Sequence, residues 1–168
     1  KIKRVMDVVR IFAEVNKKIP SKLLFVGDGP ERPATENLAR ELNICDDIRF
    51  VGKQEQIEEI LAVSDLFILP SEYESFGLAA LEGMAAGVPL ISSDAGGLPE
   101  AVGQFGAVFP MGDVQALTNL LEECLANPEF EAMSEAKMAY LQDHRAQNVA
   151  RRYLDVFAGA AWKQQCLR

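Results

Sequence analysis

The sequence predicts an α/β fold: a doubly wound parallel sheet followed by a helical C-terminal segment. Short unbroken apolar runs recur at residues 22–26 (K-L-L-F-V), 47–51 (D-I-R-F-V), 65–69 (D-L-F-I-L), 88–92 (V-P-L-I-S) and 107–109 (A-V-F). Stretches of helical spacing separate them. Strands that are apolar throughout, rather than alternating, belong in a sheet covered on both faces. Right-handed crossovers then stack the resulting βαβ units side by side.

Each element has its own signal. Residues 5–17 carry apolar side chains at 5, 8, 9, 12 and 15, one face of a helix. The first strand closes with G-D-G-P, and Pro33 opens a helix to Leu42, with Leu38 and Leu42 one turn apart. The second strand stops at Gly52, and a short helix over 55–62 leads to the third. A helix follows Ser75 and runs to about Ala86. After the fourth strand, Gly96-Gly97 with Pro99 and Glu100 turns into a short helix, with a ligand contact there as a further expectation. Asp113 is a good N-cap, and from it the pattern is helical to the end, broken at Asn127-Pro128. The chain reads as one domain, residues 1–168, with 113–168 its helical C-terminal part.

Composition narrows the function. A chain of 168 residues, 49% apolar, can build a real core. No apolar run approaches the ~20 residues of a membrane span. The net charge of -8, with cations clustered only at the N-terminus, argues against a nucleic-acid surface. Cys45, Cys124 and Cys166 are an odd set without C-x-x-C spacing, which suggests free thiols in a reducing cytoplasm. The single histidine, His144, has no second histidine or cysteine nearby in sequence, so no metal site is expected.

Open α/β sheets bind ligands at the carboxyl ends of their strands. Three turns therefore matter: G-D-G-P-E after Val26, G-K-Q after Val51 and S-E-Y-E-S-F-G after Leu69. The first has Gly-x-Gly but then Pro30, and Arg32 where a third glycine would stand, so it is weak evidence for a dinucleotide. In the third, Ser75 is placed to cap a helix starting at Phe76 or Gly77. The amides of Phe76, Gly77 and Leu78 then suit a phosphate. Glu74 sits at the mouth and Glu82 two turns into the helix. Carboxylates accept hydrogen bonds from vicinal hydroxyls. A diphosphate with a sugar on each side, one glutamate for each, is a nucleotide-sugar.

The segment E-S-F-G-L-A-A-L-E-G-M-A-A-G-V-P, from Glu74 to Pro89, resembles the E-x7-E motif of family 4 retaining glycosyltransferases. L-L-F-V-G-D-G-P-E, I-R-F-V-G, S-D-L-F-I-L-P-S and D-A-G-G-L-P-E-A-V extend the likeness, in order, over nearly the whole chain. These enzymes have the GT-B fold, two Rossmann-like domains facing a cleft, and the chain is similar to the C-terminal, donor-binding one. K-I-K-R-V-M-D-V-V-R-I-F, F-V-G-K-Q and L-A-V-S-D-L are most similar to the branch joining N-acetylglucosamine to L-malate in bacillithiol biosynthesis.

The resemblance implies a function: transfer of a sugar, N-acetylglucosamine, from a UDP-sugar to a small acceptor such as L-malate. The alternatives are a polysaccharide, lipid or other glycan acceptor, or a non-catalytic nucleotide-binding module. Glu74 would hold the transferred sugar, as the catalytic residue, and Glu82 the ribose. Ser75, Phe76, Gly77 and Leu78 would meet the sugar and distal phosphate, with Lys3 and Arg4 supplying cations. Gly27, Lys53 and Gln54 would lie along the donor, the last two against the base. No cofactor or metal is implied beyond the UDP-sugar substrate. The family's first strand and N-terminal acceptor domain have no counterpart in the sequence. The expected consequences are exposed apolar sheet surface, association with that domain or with further copies as a homo-oligomer, and no turnover by this chain alone.

Overall fold

The structure, a computed structural model, describes residues 3–127 and 134–165. Among the described residues, eight α-helices and five strands follow one another as α1 (Val5–Lys18), β1 (Leu23–Val26), α2 (Arg32–Glu41), β2 (Ile48–Gly52), α3 (Ile57–Ala62), β3 (Phe67–Leu69), α4 (Leu78–Ala85), β4 (Leu90–Ser93), α5 (Leu98–Val102), β5 (Ala107–Phe109), α6 (Val114–Ala126), α7 (Glu135–Asp143) and α8 (Ala146–Gln165). A 3₁₀ turn, Cys45–Asp47, precedes β2. The α/β class is as expected. Every paired strand is parallel, and the boundaries lie within a few residues of the periodicity.

The strands form two parallel blocks rather than one continuous sheet: β1–β2, and β3–β4–β5 in that order. β1 and β3 each have one edge without a strand partner among the described residues. Leu24 and Val26 of β1 are accordingly exposed, at 39% and 44%. β4, in the middle of the larger block, is buried at all four positions.

Helix α1 joins the blocks. Its Val9, Phe12 and Ala13 bury into one core with Leu38, Ala39, Ile44 and Ile48. Ile11 and Val15 bury into another with Ile91, Phe109, Leu117 and Leu121. Each such Val, Leu, Ile or Phe side chain, fully buried, is worth roughly 1.5–3 kcal/mol, so a helix buried on two sides holds both blocks in place. Polar contacts fix its direction. Near its start, the Thr35 hydroxyl lies 3.4 Å from Met6 Sδ, and Arg4 bonds Glu72, past the end of β3. Near its end, Asn16 donates to Asp47 Oδ2 at 2.8 Å, just before β2 begins, and Lys18 pairs with Glu122 at 2.6 Å. The start of α1 thus lies at the carboxyl ends of both blocks, where the ligand-binding turns are expected.

The chain divides into two compact units, Lys1–Ala132 and Met133–Arg168. α6 belongs with the first, capped by Asp113, whose carboxylate accepts from Ala116 N at 2.9 Å. The second contains α7 and α8. His144 ends α7, with Nδ1 2.9 Å from the Tyr140 carbonyl. Cys45 is a free exposed thiol and Cys124 a free buried one; Pro128 and Cys166 lie outside the described residues. Among the described residues, no helix is long and apolar enough to cross a membrane.

Candidate functional site

The loop between β3 and α4 is shaped by its glycine neighbours. The Gly97 amide donates to the Glu74 carbonyl at 2.9 Å. A Cβ on Gly96 would stand 2.0 Å from that carbonyl oxygen, and one on Gly97 2.4 Å from the Ser75 oxygen. Two glycines after β4 therefore clasp Glu74 and Ser75, and they admit no side chain. Ser93 Oγ adds a bond to the Ser71 carbonyl at 2.6 Å.

This clasp corrects one expectation. Ser75 does not cap α4: the helix starts at Leu78, with Gly77 at the N-cap in a left-handed conformation, φ 81°. Glu74 and Ser75 are held by their backbone against Gly96-Gly97, the chain bends at Ser75 and Phe76, and the helix begins only after Gly77. Glycine adopts that angle at no steric cost. Its Cβ position lies 2.8 Å from Ala101 Cβ, which also excludes a larger residue. The first-turn donors shift accordingly. Ala80 and Leu81 donate to the Gly77 carbonyl, while none of the described residues gives an acceptor to the amides of Phe76, Gly77, Leu78 or Ala79. Ala79 joins the set that sequence reading assigned, once the helix start is known.

Charged side chains surround this loop. Lys3 Nζ lies 2.7 Å from Glu74 Oε2, uniting two predicted site residues 71 positions apart. Arg4 Nε donates to Asp7 Oδ2 at 2.8 Å, and its Nη1 to Glu72 Oε1 at 3.0 Å. Met111, past β5, comes within 3.8 Å of the same Nη1, and its own amide donates to Asp94 at 2.8 Å. Glu72, Asp7 and Asp94 were not singled out from the sequence. Glu72 carries no local signal in the sequence, since the Arg4 partner that gives it a role lies 68 positions earlier. Glu82 is exposed on α4, and its carboxylate has no hydrogen bond or ion pair with the described residues. Gly83 beside it approaches Phe67 so closely that a Cβ would lie 2.5 Å from the ring, which seats α4 on β3.

Gly27, Lys53 and Gln54 come together elsewhere, at the ends of β1 and β2. The Gly27 amide donates to Gly52 O at 2.7 Å with φ 112° at Gly27. Gln54 Nε2 donates to the Val51 carbonyl at 2.6 Å, and Lys53 is exposed. Arg32 lies over the Phe50 ring, 5.6 Å from its centroid, and bonds Glu36 at 2.8 Å. No hydrogen bond or ion pair among the described residues links this group to the Lys3–Glu74 group. The two share only the carboxyl-end side of the fold.

With this geometry in view, the comparisons are specific. The family model for glycosyl transferases group 1 matches residues 1–139, most of the chain. The chain belongs to that family. It is similar to N-acetyl-alpha-D-glucosaminyl L-malate synthase of Bacillus anthracis, 39% identical over 161 residues, 94% of this chain but 42% of that protein. Among solved structures it resembles the sucrose-phosphate synthase of Thermosynechococcus elongatus, with a TM-score of 0.75 and 31% identity over 94% of this chain and 43% of that one. HepE of Anabaena, solved in complex with UDP, shares the fold at a TM-score of 0.78 and 22% identity, over 95% of this chain and 47% of HepE. The chain thus spans less than half the length of these relatives. Its α/β unit is that of GT-B glycosyltransferases.

Proposed function

We propose that the chain is the donor-binding part of a retaining glycosyltransferase that takes N-acetylglucosamine from its UDP-sugar to a small hydroxy acid such as L-malate. The observation that carries donor binding is the meeting of Lys3 and Glu74 beside four unoccupied amides at the start of α4. A diphosphate suits those amides and the Lys3 ammonium. When Lys3 turns to the diphosphate, Glu74 is released to accept hydrogen bonds from the transferred sugar. Glu82, which has no partner among the described residues, takes the ribose hydroxyls. Gly27, Lys53 and Gln54 take the base.

The chemistry asked of these groups is electrostatic. Negative charge grows on the departing diphosphate, and fixed donors at that point lower the barrier. Glu74 orients the sugar rather than attacking it. Lys3 and the helix amides supply the positive end of the site, so these residues require no metal. The relative from Bacillus anthracis supports N-acetylglucosamine and malate as the transferred sugar and acceptor. The free thiols of Cys45 and Cys124 suit a cytoplasmic setting.

Steady-state kinetics and UDP titration test this. Glu82→Gln is expected to weaken UDP binding about tenfold, the loss of a charged hydrogen bond. Glu74→Gln is expected to lower kcat of the full-length enzyme with UDP affinity retained. Unchanged kinetics in both variants would refute the assignment.

A further inference from the structure

Arg4 stands apart from the other cations of the site. Its backbone is left-handed, φ 47° and ψ 35°, in a residue with a full side chain. Among the described non-glycine residues only Asn43 also has positive φ, and asparagine tolerates that region far better than arginine. Such a conformation persists where the surroundings over-determine it. Here they do. The Arg4 carbonyl accepts from Asp7 N at 3.1 Å and Val8 N at 3.3 Å, which starts α1. Its guanidinium holds Asp7 with Nε at 2.8 Å and Nη2 at 2.6 Å, and Glu72 with Nη1 at 3.0 Å. The side chain is 25% exposed, against 57% for Lys3.

The pairing is ordered. Lys3 meets Glu74 while Arg4 meets Glu72, so two adjacent cations lie across two acids of one loop. The left-handed turn at Arg4 separates the helix from Lys3, and the guanidinium fastens that turn to the β3–α4 loop. We propose that Arg4 is a positioning residue: it acts on the donor through Lys3, by locking the start of α1 to Glu72, and does not itself contact the diphosphate. This rests on the donor-site reading above and departs from the role the family resemblance implied for Arg4.

The two roles predict opposite signs for one substitution. If Arg4 contacted the diphosphate, Glu72→Gln would free its guanidinium and remove a nearby negative charge, and UDP would bind more tightly. As a positioning residue, Arg4 needs Glu72, so Glu72→Gln weakens UDP about tenfold despite the lost negative charge. Arg4→Gly, which keeps the left-handed backbone, weakens UDP similarly. In a Lys3→Ala background the same Arg4→Gly change has little further effect, because residues acting as a unit are non-additive. Arg4→Lys does not rescue, since an ammonium lacks the fork that spans Asp7 and Glu72.

The experiment is calorimetric titration of the protein with UDP for wild type, E72Q, R4G, R4K, K3A and K3A/R4G, each shown folded by circular dichroism. Weakened binding by E72Q with a non-additive K3A/R4G pair supports the positioning role. Tighter binding by E72Q, additive losses, or rescue by R4K overturns it and leaves the donor site standing. No UDP binding by the folded wild type overturns both.

Discussion

The two strand-end regions of this chain are built on different principles. At the ends of β3, β4 and β5 the loop is clasped by Gly96-Gly97 and flanked by the Lys3–Glu74 pair and by Arg4 with its partners Asp7 and Glu72. At the ends of β1 and β2 the neighbourhood is open: a Cβ on Gly27 meets nothing within 4 Å, and Lys53 is exposed. A charged diphosphate and a sugar that must be held for reaction need fixed partners. A flat base needs only an accessible backbone edge. The contrast is what one nucleotide-sugar lying across both regions would require.

The largest test of this contrast is the same substitution made on both sides. Gly96→Ala forces a Cβ to 2.0 Å from the Glu74 carbonyl at φ 56°, and should cost about 3 kcal/mol of stability. Gly27→Ala meets only its own backbone strain at φ 112°, about 1–2 kcal/mol. Denaturant unfolding reads both, and equal losses would erase the distinction.

Binding comes next in size. Lys3→Ala should weaken UDP about tenfold, whereas Lys53→Ala at the open end should change it about twofold, by titration at fixed salt.

A smaller effect concerns how α1 is tied down at its far end. Hydrogen bonds from Lys22 and Asn16 hold the Asp47 carboxyl below the usual carboxylate range. Its folded pKa is lower than its unfolded one, so its stabilising contribution is complete above the ordinary value near ~3.9 and is lost as pH falls through the folded value. Asp47→Asn should flatten that acid limb of stability against pH, and an unchanged limb would remove Asp47 from the account. The smallest effect is chemical. Burial pushes the Cys124 thiol up, so iodoacetamide should label Cys45 well before Cys124 in peptide mass spectra.

Much of this was legible in the sequence, for a physical reason. Strand and helix periods are local, and a strand running into a glycine turn and an apolar helix marks a ligand end whatever surrounds it. Glu74 and the glycine turns are read on that basis; Lys3 comes from the family resemblance alone. Three features were not legible. The Ser75 cap failed because Gly96-Gly97, more than twenty residues away, decides where α4 starts. Glu72 went unnoticed because its partner lies 68 positions earlier. The separation of β1–β2 from β3–β4–β5 depends on which strand edges meet, which apolar runs do not encode.

The central claim is that these strand ends hold a uridine diphosphate. Calorimetric titration of the folded protein with UDP, UDP-N-acetylglucosamine and NAD, alongside Glu82→Gln, tests it most directly. The account predicts heat from both uridine ligands, none from NAD, and a loss of about tenfold in the variant. A folded protein silent to both uridine ligands, or one that binds them equally well with Glu82→Gln, would contradict it.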